Sequence, residues 1–223
     1  MPTARPTVVL FDIDGTLLES GGAGRAAMAA AFEQLCDRAD ACANISFGGM
    51  TDRAIARQGL LAVGEQVDEI RIDQLVAAYL AQLEHTLPRY PHRVMPGVNA
   101  LLDLLAARTN LALGLGTGNV RAGAFAKLRT ASLDGYFAFG GFGCDAEDRG
   151  ELLRAGARRG AERVGVSLDE CRVVVIGDTP KDVAAARAIG AEVVAVATGG
   201  FDLDTLRATQ PDRAVADLTG FVL

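Results

Sequence analysis

The chain has 223 residues, of which 50% are hydrophobic and 22% charged, and its formal net charge at pH 7 is −6. This length and hydrophobicity allow one large domain, or a domain with a smaller insertion, and exclude a largely disordered chain. The acidic balance and the lack of a basic cluster argue against nucleic acid and anionic membrane surfaces as partners.

The first predicted element is the apolar run "TVVLF", which ends at Phe11 and is too continuous for a strand with one wet face. Such a run is typical of a parallel strand that is buried on both faces of a sheet. Asp12 and Asp14 follow it directly, and Gly15 then permits a sharp turn. Because the two aspartates are two residues apart, an extended backbone would direct both side chains to the same side.

The next segment, residues 18–93, has a helical pattern and is far longer than a usual connection between strands. Two apolar stripes recur at helical spacing, and "TDRAIARQGLL" between them predicts a helix that Thr51 would cap. We therefore predict a helical domain over residues 18–93, inserted into an α/β core that is formed by residues 1–17 and 94–223. The stripes comprise Met28, Ala31, Phe32 and Leu35, and then Ile72, Leu75, Val76, Tyr79, Leu80 and Leu83.

After the turn-rich "LPRYPHRVMPG", strands and helices alternate to the end of the chain. Continuous apolar runs in "LALGLGTGN", "CRVVVIGDT" and "AEVVAVATGG" predict buried strands, and Tyr136–Gly143 predicts a shorter one. This alternation predicts a doubly wound α/β fold with a mostly parallel sheet. The predicted helices lie near Val98–Leu105, from Asn119 to about Thr130, over Glu151–Val164, and from Pro180 to a stop at Gly190.

Several absences in the sequence bear on the location of the protein. None of its four cysteines belongs to a C-x-x-C pair, and no apolar run reaches the roughly 18 residues of a membrane span. The start "MPTARPT" lacks the apolar region of a signal peptide. We therefore expect a cytoplasmic protein with free thiols and no membrane partner, while its oligomeric state is left open.

Oxygen-bearing side chains stand at the predicted carboxyl ends of three strands, at Asp12, Thr117 and Asp178. In a parallel α/β sheet these ends share one edge, where ligands gather. Neighbouring carboxylates repel one another and are costly to bury without a cation or a proton. Oxygen ligands from Asp12, Asp14 and Asp178 suit Mg²⁺, and proton exchange by one aspartate is a compatible second interpretation. A plain strand-ending turn is a third, because Asp and Gly favour turns.

Two further motifs accompany the aspartates. "LGLGTGN" places the Thr117 hydroxyl and several backbone N–H groups before a predicted helix, which is a suitable anion site. It does not match the dinucleotide fingerprint and lacks the P-loop lysine, so an ordinary glycine-rich turn is the alternative. "VVVIGDTPKD" supplies Asp178 at a strand end and Asp182 one turn into the next helix, where a simple helix cap is the alternative.

In chain order, "DIDGT", "GTGN" and "GDTPKD" together resemble the motifs of the haloacid dehalogenase-like superfamily of phosphohydrolases. The resemblance spans nearly the whole chain and is greatest to the phosphoglycolate phosphatase-like branch, which has a helical cap. It implies that Asp12 is the nucleophile and that Asp14 exchanges protons with the leaving alcohol and with water. It also implies a Mg²⁺ ion held by Asp12, the Asp14 carbonyl and Asp178, with Asp182 beside the ligands.

The same resemblance implies that Thr117 and the following amides, of Gly118 and Asn119, bind the phosphoryl oxygens. The family pattern also has a lysine, often followed by proline, that neutralises the phosphoryl group. This chain departs from that pattern, because the corresponding region reads "GCDAEDRGELL". We favour Lys127 for this role, with Arg149 as the alternative or as a helper.

The resemblance implies a Mg²⁺-dependent phosphatase acting on a small phosphorylated metabolite, with the helical cap shaping the substrate site. Arg25 and the segment Gly48–Arg53 are candidates for the cap side of the cleft, although an ordinary helix N-terminus is the alternative interpretation of that segment. His85 and His92 are expected at the surface. A sugar-phosphate mutase of the same fold is the first alternative function. A non-catalytic binding protein that retains the fold is the second.

Overall fold

The computed structural model describes residues 5–223, so Met1–Ala4, which the sequence prediction assigned to the α/β core, lie outside the described residues. Eight strands and eight α-helices occur within this range. The strands are β1 (Thr7–Phe11), β2 (Leu18–Glu19), β3 (Arg93–Val94), β4 (Leu111–Gly116), β5 (Phe139–Gly141), β6 (Arg172–Gly177), β7 (Glu192–Val196) and β8 (Arg213–Val215). The helices are α1 (Ala23–Cys36), α2 (Asp52–Ala62), α3 (Glu69–Thr86), α4 (Val98–Ala106), α5 (Arg121–Thr130), α6 (Arg149–Val164), α7 (Pro180–Ala188) and α8 (Leu203–Ala208).

Six strands form one sheet in the order β5-β4-β1-β6-β7-β8, and every neighbouring pair is parallel. The predicted doubly wound α/β fold is therefore confirmed. Phe11, the last residue of β1, lies opposite Leu115 of β4 and Ile176 of β6. The carboxyl ends of these three central strands consequently meet at one edge of the sheet, as the sequence analysis predicted.

The two faces of the sheet are covered by different helices, because successive side chains of a strand point to opposite faces. Val9 and Phe11 pack with α4 and α5 on one face, whereas Val8 and Leu10 pack with α6 and α7 on the other. This double burial explains why the strand sequences are continuously apolar. It also leaves the edge at the carboxyl ends as the place where polar side chains collect.

Helices α1, α2 and α3 lie in the chain between β1 and β4 and share an apolar cluster, which includes Phe32, Leu75 and Tyr79 and extends to Val120 before α5. We call these three helices the helical layer. Thr51 caps α2 as predicted, since its side chain accepts a hydrogen bond from the Ala54 N–H. The antiparallel pair β2–β3 brings the two ends of this segment together. The domain boundary at residues 18 and 93 stays a prediction.

Several element boundaries differ from those predicted. The helix expected from Asn119 begins at Arg121, and the strand expected within Tyr136–Gly143 is limited to Phe139–Gly141. Asn119 remains outside the helix because its backbone N–H donates to Thr117 Oγ1. The short elements β2, β3, α8 and β8 were not predicted, because two to six residues are too few to show a periodic pattern.

The four cysteines are free thiols, and both histidines are exposed, in agreement with the sequence analysis. Within residues 5–223 no helix combines the length and the hydropathy that crossing a bilayer requires.

Candidate active site

The turn after β1 carries the two aspartates of the first motif and brings β1 close to β6. Gly15 adopts a φ of 83°, which an L-residue with a side chain rarely adopts. A Cβ atom on Gly15 would also lie 2.4 Å from Asp178 Oδ2, so glycine is required for the close approach of the two segments. Thr16, which the sequence analysis did not single out, donates from Oγ1 to Asp178 Oδ1 at 3.0 Å.

Three buried carboxylates converge at the carboxyl ends of β1 and β6. Asp12, Asp178 and Asp182 each place an oxygen within 4.8 Å of the others. Burial is the main cause that raises the pKa of Asp12 to about 6 and that of Asp178 to about 8, and the neighbouring carboxylates raise both further. The cluster therefore carries more negative charge than its surroundings readily accommodate.

Arg149, at the start of α6, is the cation that lies next to this cluster. Its Nη2 atom is 2.9 Å from Asp12 Oδ2, and its Nε donates to Asp182 Oδ1 at 2.8 Å. Burial alone would lower the pKa of the guanidinium, but the charges of Asp182 and Asp12 outweigh it and raise the pKa. The side chain that the sequence analysis kept as the alternative cation thus contacts the predicted nucleophile directly.

Asp182 is held in place by the first turn of α7. Its Oδ2 atom accepts hydrogen bonds from the backbone N–H and from the hydroxyl of Thr179, at 3.0 and 2.7 Å. Thr179 in turn caps the helix by accepting from the Asp182 N–H. With Oδ1 bonded to Arg149, both carboxylate oxygens of Asp182 are engaged. This arrangement is compatible with its predicted place beside the metal ligands, which stays a prediction.

Lys127, on α5, is the cation next to Asp14. Its Nζ lies 2.6 Å from Asp14 Oδ2 and 2.7 Å from Asn119 Oδ1, and the Asn119 side chain also donates to Asp14 Oδ2. The Asp14 side chain is 42% exposed to the cleft. Its partial burial alone would raise the pKa of Asp14. The charge and the hydrogen bond of Lys127 outweigh burial, so the pKa of Asp14 is lowered. The pKa of Lys127 is raised in turn, because Asp14 and Asp52 outweigh its burial.

A nucleophile is expected to have a lower pKa than a residue that donates a proton, but the pKa values of Asp12 and Asp14 have the opposite order. The resemblance implied a nucleophilic Asp12, which attacks in its ionised form, and a proton-exchanging Asp14, yet the pKa of Asp12 is raised and that of Asp14 is lowered. The reason is local, since Asp12 lies among buried carboxylates and Asp14 is bonded to an ammonium group. Their catalytic roles stay predictions.

The other predicted phosphate-binding residues lie in the loop between β4 and α5. Thr117 is fully buried, and its Oγ1 accepts from both the backbone and the side chain of Asn119, at 3.2 and 2.9 Å. The Asn119 N–H is therefore directed at Thr117 in this arrangement. Gly118 lines the cavity, and its carbonyl accepts from the Asp52 N–H at 2.9 Å. All three residues line the same cavity as the two aspartates of the first motif.

The donor set fits a hard divalent cation. Asp12 and Asp178 offer carboxylate oxygens, and the raised pKa of each indicates that a positive charge at this point would stabilise the ionised forms. Oxygen-only donors from aspartates are the ligands that Mg²⁺ prefers. The chemistry of these residues therefore suits the predicted ion.

A cavity of about 430 Å³ lies between this site and the helical layer. Of the predicted cap-side residues, Arg25, residues 48–50 and Asp52 line it, whereas Arg53 pairs with Glu69 and Asp73 on α3. Arg25 donates to the carbonyls of Cys42 and Ile45 and covers the Phe47 ring at 3.9 Å. It therefore fixes the loop that forms part of the cavity wall.

Asp52 was predicted only as part of the segment Gly48–Arg53, without a role of its own, although its position directly after the Thr51 cap distinguishes it. Tyr79, which also lines the cavity, was not singled out as functional. Tyr79 sits in an apolar helical stripe, where its hydroxyl gave no separate signal.

The family model for haloacid dehalogenase-like hydrolases matches residues 6–190. A relative from Dickeya dadantii (strain 3937), named "Probable phosphatase IndB", is 30% identical over 213 residues, which cover 93% of this chain and 88% of the relative. Together these matches cover the site residues and the helical layer.

Two solved structures are similar over nearly their whole length. A hydrolase from Pseudomonas syringae has a TM-score of 0.65 at 26% identity, covering 96% of this chain and 94% of that one. A predicted phosphoglycolate phosphatase from Haemophilus somnus 129PT has a TM-score of 0.69 at 17% identity, covering 98% and 97%. The second match shows a shared fold.

Proposed function

Since the chain belongs to the haloacid dehalogenase-like hydrolases, we propose that it is a Mg²⁺-dependent phosphatase that hydrolyses a small phosphorylated metabolite through an aspartyl-phosphate on Asp12. The observation that supports this most directly is that each aspartate after β1 has its own buried cation, Arg149 for Asp12 and Lys127 for Asp14. A carboxylate can approach a phosphate dianion only where positive charge offsets both.

In the first step, an Asp12 carboxylate oxygen attacks phosphorus. The bond from this oxygen to phosphorus forms, the bond from phosphorus to the alcohol oxygen breaks, and Asp14 gives its proton to the leaving oxygen. The low pKa of Asp14 in the free protein is compatible with this role, because an arriving phosphate dianion raises the pKa of a neighbouring carboxyl group. Arg149 offsets the charge on Asp12 as the phosphoryl group approaches.

In the second step, a water molecule attacks the phosphorus of the aspartyl-phosphate and gives a proton to Asp14. The bond between Asp12 and phosphorus breaks, which releases inorganic phosphate and restores the carboxylate. Lys127 favours the ionised form of Asp14 and therefore supports its action as a base in this step.

Asp12, the backbone carbonyl of Asp14 and Asp178 would hold Mg²⁺, and Asp182 would orient the site through Arg149 and Thr179. The ion, when bound, supplies positive charge that offsets the carboxylates and the phosphoryl oxygens. Thr117 and the Gly118 amide are proposed to bind the phosphoryl oxygens, and Arg149 and Lys127 to share the role of the family's lysine.

The test is phosphate release from 4-nitrophenyl phosphate and a panel of metabolite esters, with and without Mg²⁺. We expect Asp12→Asn to lower turnover by about 10³-fold or more, because it removes the nucleophile. Asp204→Asn, an identical change at an exposed carboxylate, serves as the control. Phosphate release that is unchanged in Asp12→Asn would contradict the mechanism. Interconversion of hexose phosphate isomers without net release would instead support the mutase alternative.

A further inference from the structure

Three polar groups line the same cavity as Asp14: the Lys127 ammonium, the Asp52 carboxylate and the Tyr79 hydroxyl. None of them contacts Asp12. Lys127 lies on α5, which packs against the sheet, whereas Asp52 and Tyr79 lie on α2 and α3 of the helical layer. We call these three residues the outer group.

One N–H group of the Lys127 ammonium is not used in the hydrogen bonds described above. Its Nζ carries three N–H bonds, and Asp14 and Asn119 accept two of them. A Cβ atom on Gly24 would lie 3.5 Å from this Nζ and 3.8 Å from the Tyr79 hydroxyl. Because residue 24 is glycine, the space beside both groups remains open to the cavity.

Asp52 is fixed by two hydrogen bonds, and one of its carboxylate oxygens accepts neither of them. Its backbone N–H donates to the Gly118 carbonyl at 2.9 Å, and its Oδ2 accepts from the Val120 N–H at 2.8 Å. Within residues 5–223, that N–H is the only hydrogen-bond donor to the carboxylate. Asp52 therefore presents a fixed acceptor oxygen, Oδ1, at the cavity wall.

Tyr79 is only 2% exposed, yet its hydroxyl has no hydrogen-bond partner among the residues that the structure describes. No fully buried side-chain nitrogen or oxygen in that range lacks a partner. The hydroxyl must accordingly reach the accessible surface of the cavity. A buried tyrosine whose hydroxyl opens only to a cavity is suited to bind a polar group of a ligand.

From these contacts we propose that the outer group binds hydroxyl groups of the leaving alcohol, so that the substrate class is the phosphate monoesters of polyols or sugars. This inference rests on the proposed phosphatase function. A hydroxyl both donates and accepts, and it can therefore satisfy the Asp52 oxygen together with the Lys127 or Tyr79 donor.

A carboxylate in the same place would be disfavoured. It could accept from Lys127 and Tyr79, but it would lie next to the negative charges of Asp52 and Asp14 and could donate nothing to Asp52. The outer group therefore selects against esters such as 2-phosphoglycolate. Met28, Phe47 and Ile55 supply apolar wall for the carbon skeleton, and the volume of about 430 Å³ suits a small metabolite.

The first experiment compares kcat/KM of the wild-type protein with Mg²⁺ for four esters. The esters are glycerol 3-phosphate, ribose 5-phosphate, 2-phosphoglycolate and 4-nitrophenyl phosphate, of which the last has no hydroxyl on its leaving group. We expect the two hydroxylated esters to exceed 2-phosphoglycolate by about tenfold or more, as a site built to bind hydroxyls discriminates strongly. A preference for 2-phosphoglycolate would overturn the inference while leaving the phosphatase proposal intact.

The second experiment uses Tyr79→Phe and Asp52→Asn. The first removes an oxygen that bonds to no described residue, and the second keeps an acceptor for the Val120 N–H, so both proteins should fold. We expect each change to lower kcat/KM for the hydroxylated esters by about five- to tenfold relative to 4-nitrophenyl phosphate. Tyr136→Phe, whose hydroxyl bonds to Asp103 away from the cavity, is the matched control and should leave this ratio unchanged.

Each remaining outcome is decisive. If Tyr79→Phe lowered kcat/KM equally for all esters, the outer group would not bind hydroxyl groups of the leaving alcohol, and the inference would be wrong. A wild-type protein that releases phosphate from none of the four esters would overturn both the proposed function and the inference that rests on it.

Discussion

Asp12 and Asp14 are separated by one residue, but their surroundings differ in kind. Asp12 lies among buried carboxylates and contacts Arg149, whereas Asp14 faces the cleft and contacts Lys127. The pKa values follow from this difference, being raised for Asp12 and lowered for Asp14. Like charges that are held together in a buried cluster store a repulsion that only protons or a cation relieve.

This repulsion predicts how the stability of the protein without metal depends on pH. Asp12, Asp52 and Asp178 have folded-state pKa values of about 6, 6 and 8, above the ordinary value of 3.8. Between pH 4 and 8 the folded protein therefore binds more protons than the unfolded one, and its stability falls as pH rises through this window. We expect the Tm in EDTA to fall by several degrees from pH 5 to pH 8.

Mg²⁺ should reverse this trend, because it binds the ionised carboxylates of the folded state. The increase in Tm on adding Mg²⁺ is expected to be larger at pH 8 than at pH 5, as measured by calorimetry. Asp178→Asn removes the carboxylate with the highest of the three pKa values. It should therefore weaken both the pH dependence of the Tm and the increase in Tm on adding Mg²⁺. An equal Mg²⁺ effect at the two pH values would contradict the assignment of the metal site.

At the scale of elements, the N-terminus of α2 determines where Asp52 lies. The Thr51 side chain caps the helix, and the next residue bonds through its backbone and its side chain to the loop before α5. The fit is close, since a Cβ atom on Gly118 would lie 2.1 Å from the Met50 carbonyl oxygen. The start of one helix thus positions both its own carboxylate and the neighbouring loop.

We therefore expect Thr51→Ala to affect stability and substrate binding together. Loss of the cap should lower the free energy of unfolding by about 1 kcal/mol, and displacement of Asp52 should raise KM. Asp68→Ala removes the cap of α3, at a distance from the cavity, and should lower stability by a similar amount without changing KM. Urea unfolding and steady-state kinetics on both variants check this, and equal KM values in the two would refute the positioning role of α2.

The elements with strong patterns could be predicted from the sequence, and the short ones could not. The runs that became β1, β4, β6 and β7 are continuously apolar because both faces of the sheet are covered, and the Thr51 cap has a local signature. By contrast, β2 and β3 are two residues each and form only because the ends of the helical segment meet. Contacts of that kind depend on the whole fold and produce no periodic pattern in the sequence.

At the scale of the whole molecule, two contacts near the site are among those that join the helical layer to the sheet and its flanking helices. One is the approach of Met50 and Asp52 to Gly118. The other is the ion pair between Arg57 of α2 and Glu147, two residues before Arg149, with Nη2 and Oε1 2.8 Å apart. Since Glu147 directly precedes the segment that carries Arg149, the second contact connects the helical layer to the cation beside Asp12.

Reversing one charge of the Arg57–Glu147 pair should weaken the contact between the helical layer and the segment before Arg149. We expect Arg57→Glu to raise KM by about two- to fivefold, a modest effect because both side chains are about one-third exposed. The double variant Arg57→Glu with Glu147→Arg should restore part of the loss. Glu192→Arg, which breaks the Arg172–Glu192 pair away from the cavity, is the control. No recovery in the double variant would show that the pair does not act as a unit.

The candidate site could be predicted in part. Asp12, Thr117 and Asp178, which follow the ends of β1, β4 and β6, were identified, because parallel strands bring their carboxyl ends together whatever the rest of the fold. Thr198, which follows β7 and also lines the cavity, was not identified. Arg149 and Lys127 were both named, but their separate partners depend on how α5 and α6 pack, which no spacing reveals. Tyr79 could not be found, since its ring fits the apolar stripe of α3 and only the tertiary structure shows its hydroxyl at a cavity.

The scarcity of lysine makes the protein convenient for spectroscopy. Its two side-chain amines belong to Lys127, which is buried, and to Lys181, which is exposed and whose Cδ would lie 2.9 Å from a Cβ atom on Gly49. Of the two side-chain amines, an amine-reactive dye should therefore mark Lys181 and spare the ammonium beside Asp14. A fluorophore there would sit against the loop before α2, where its emission could report movement of the helical layer during turnover.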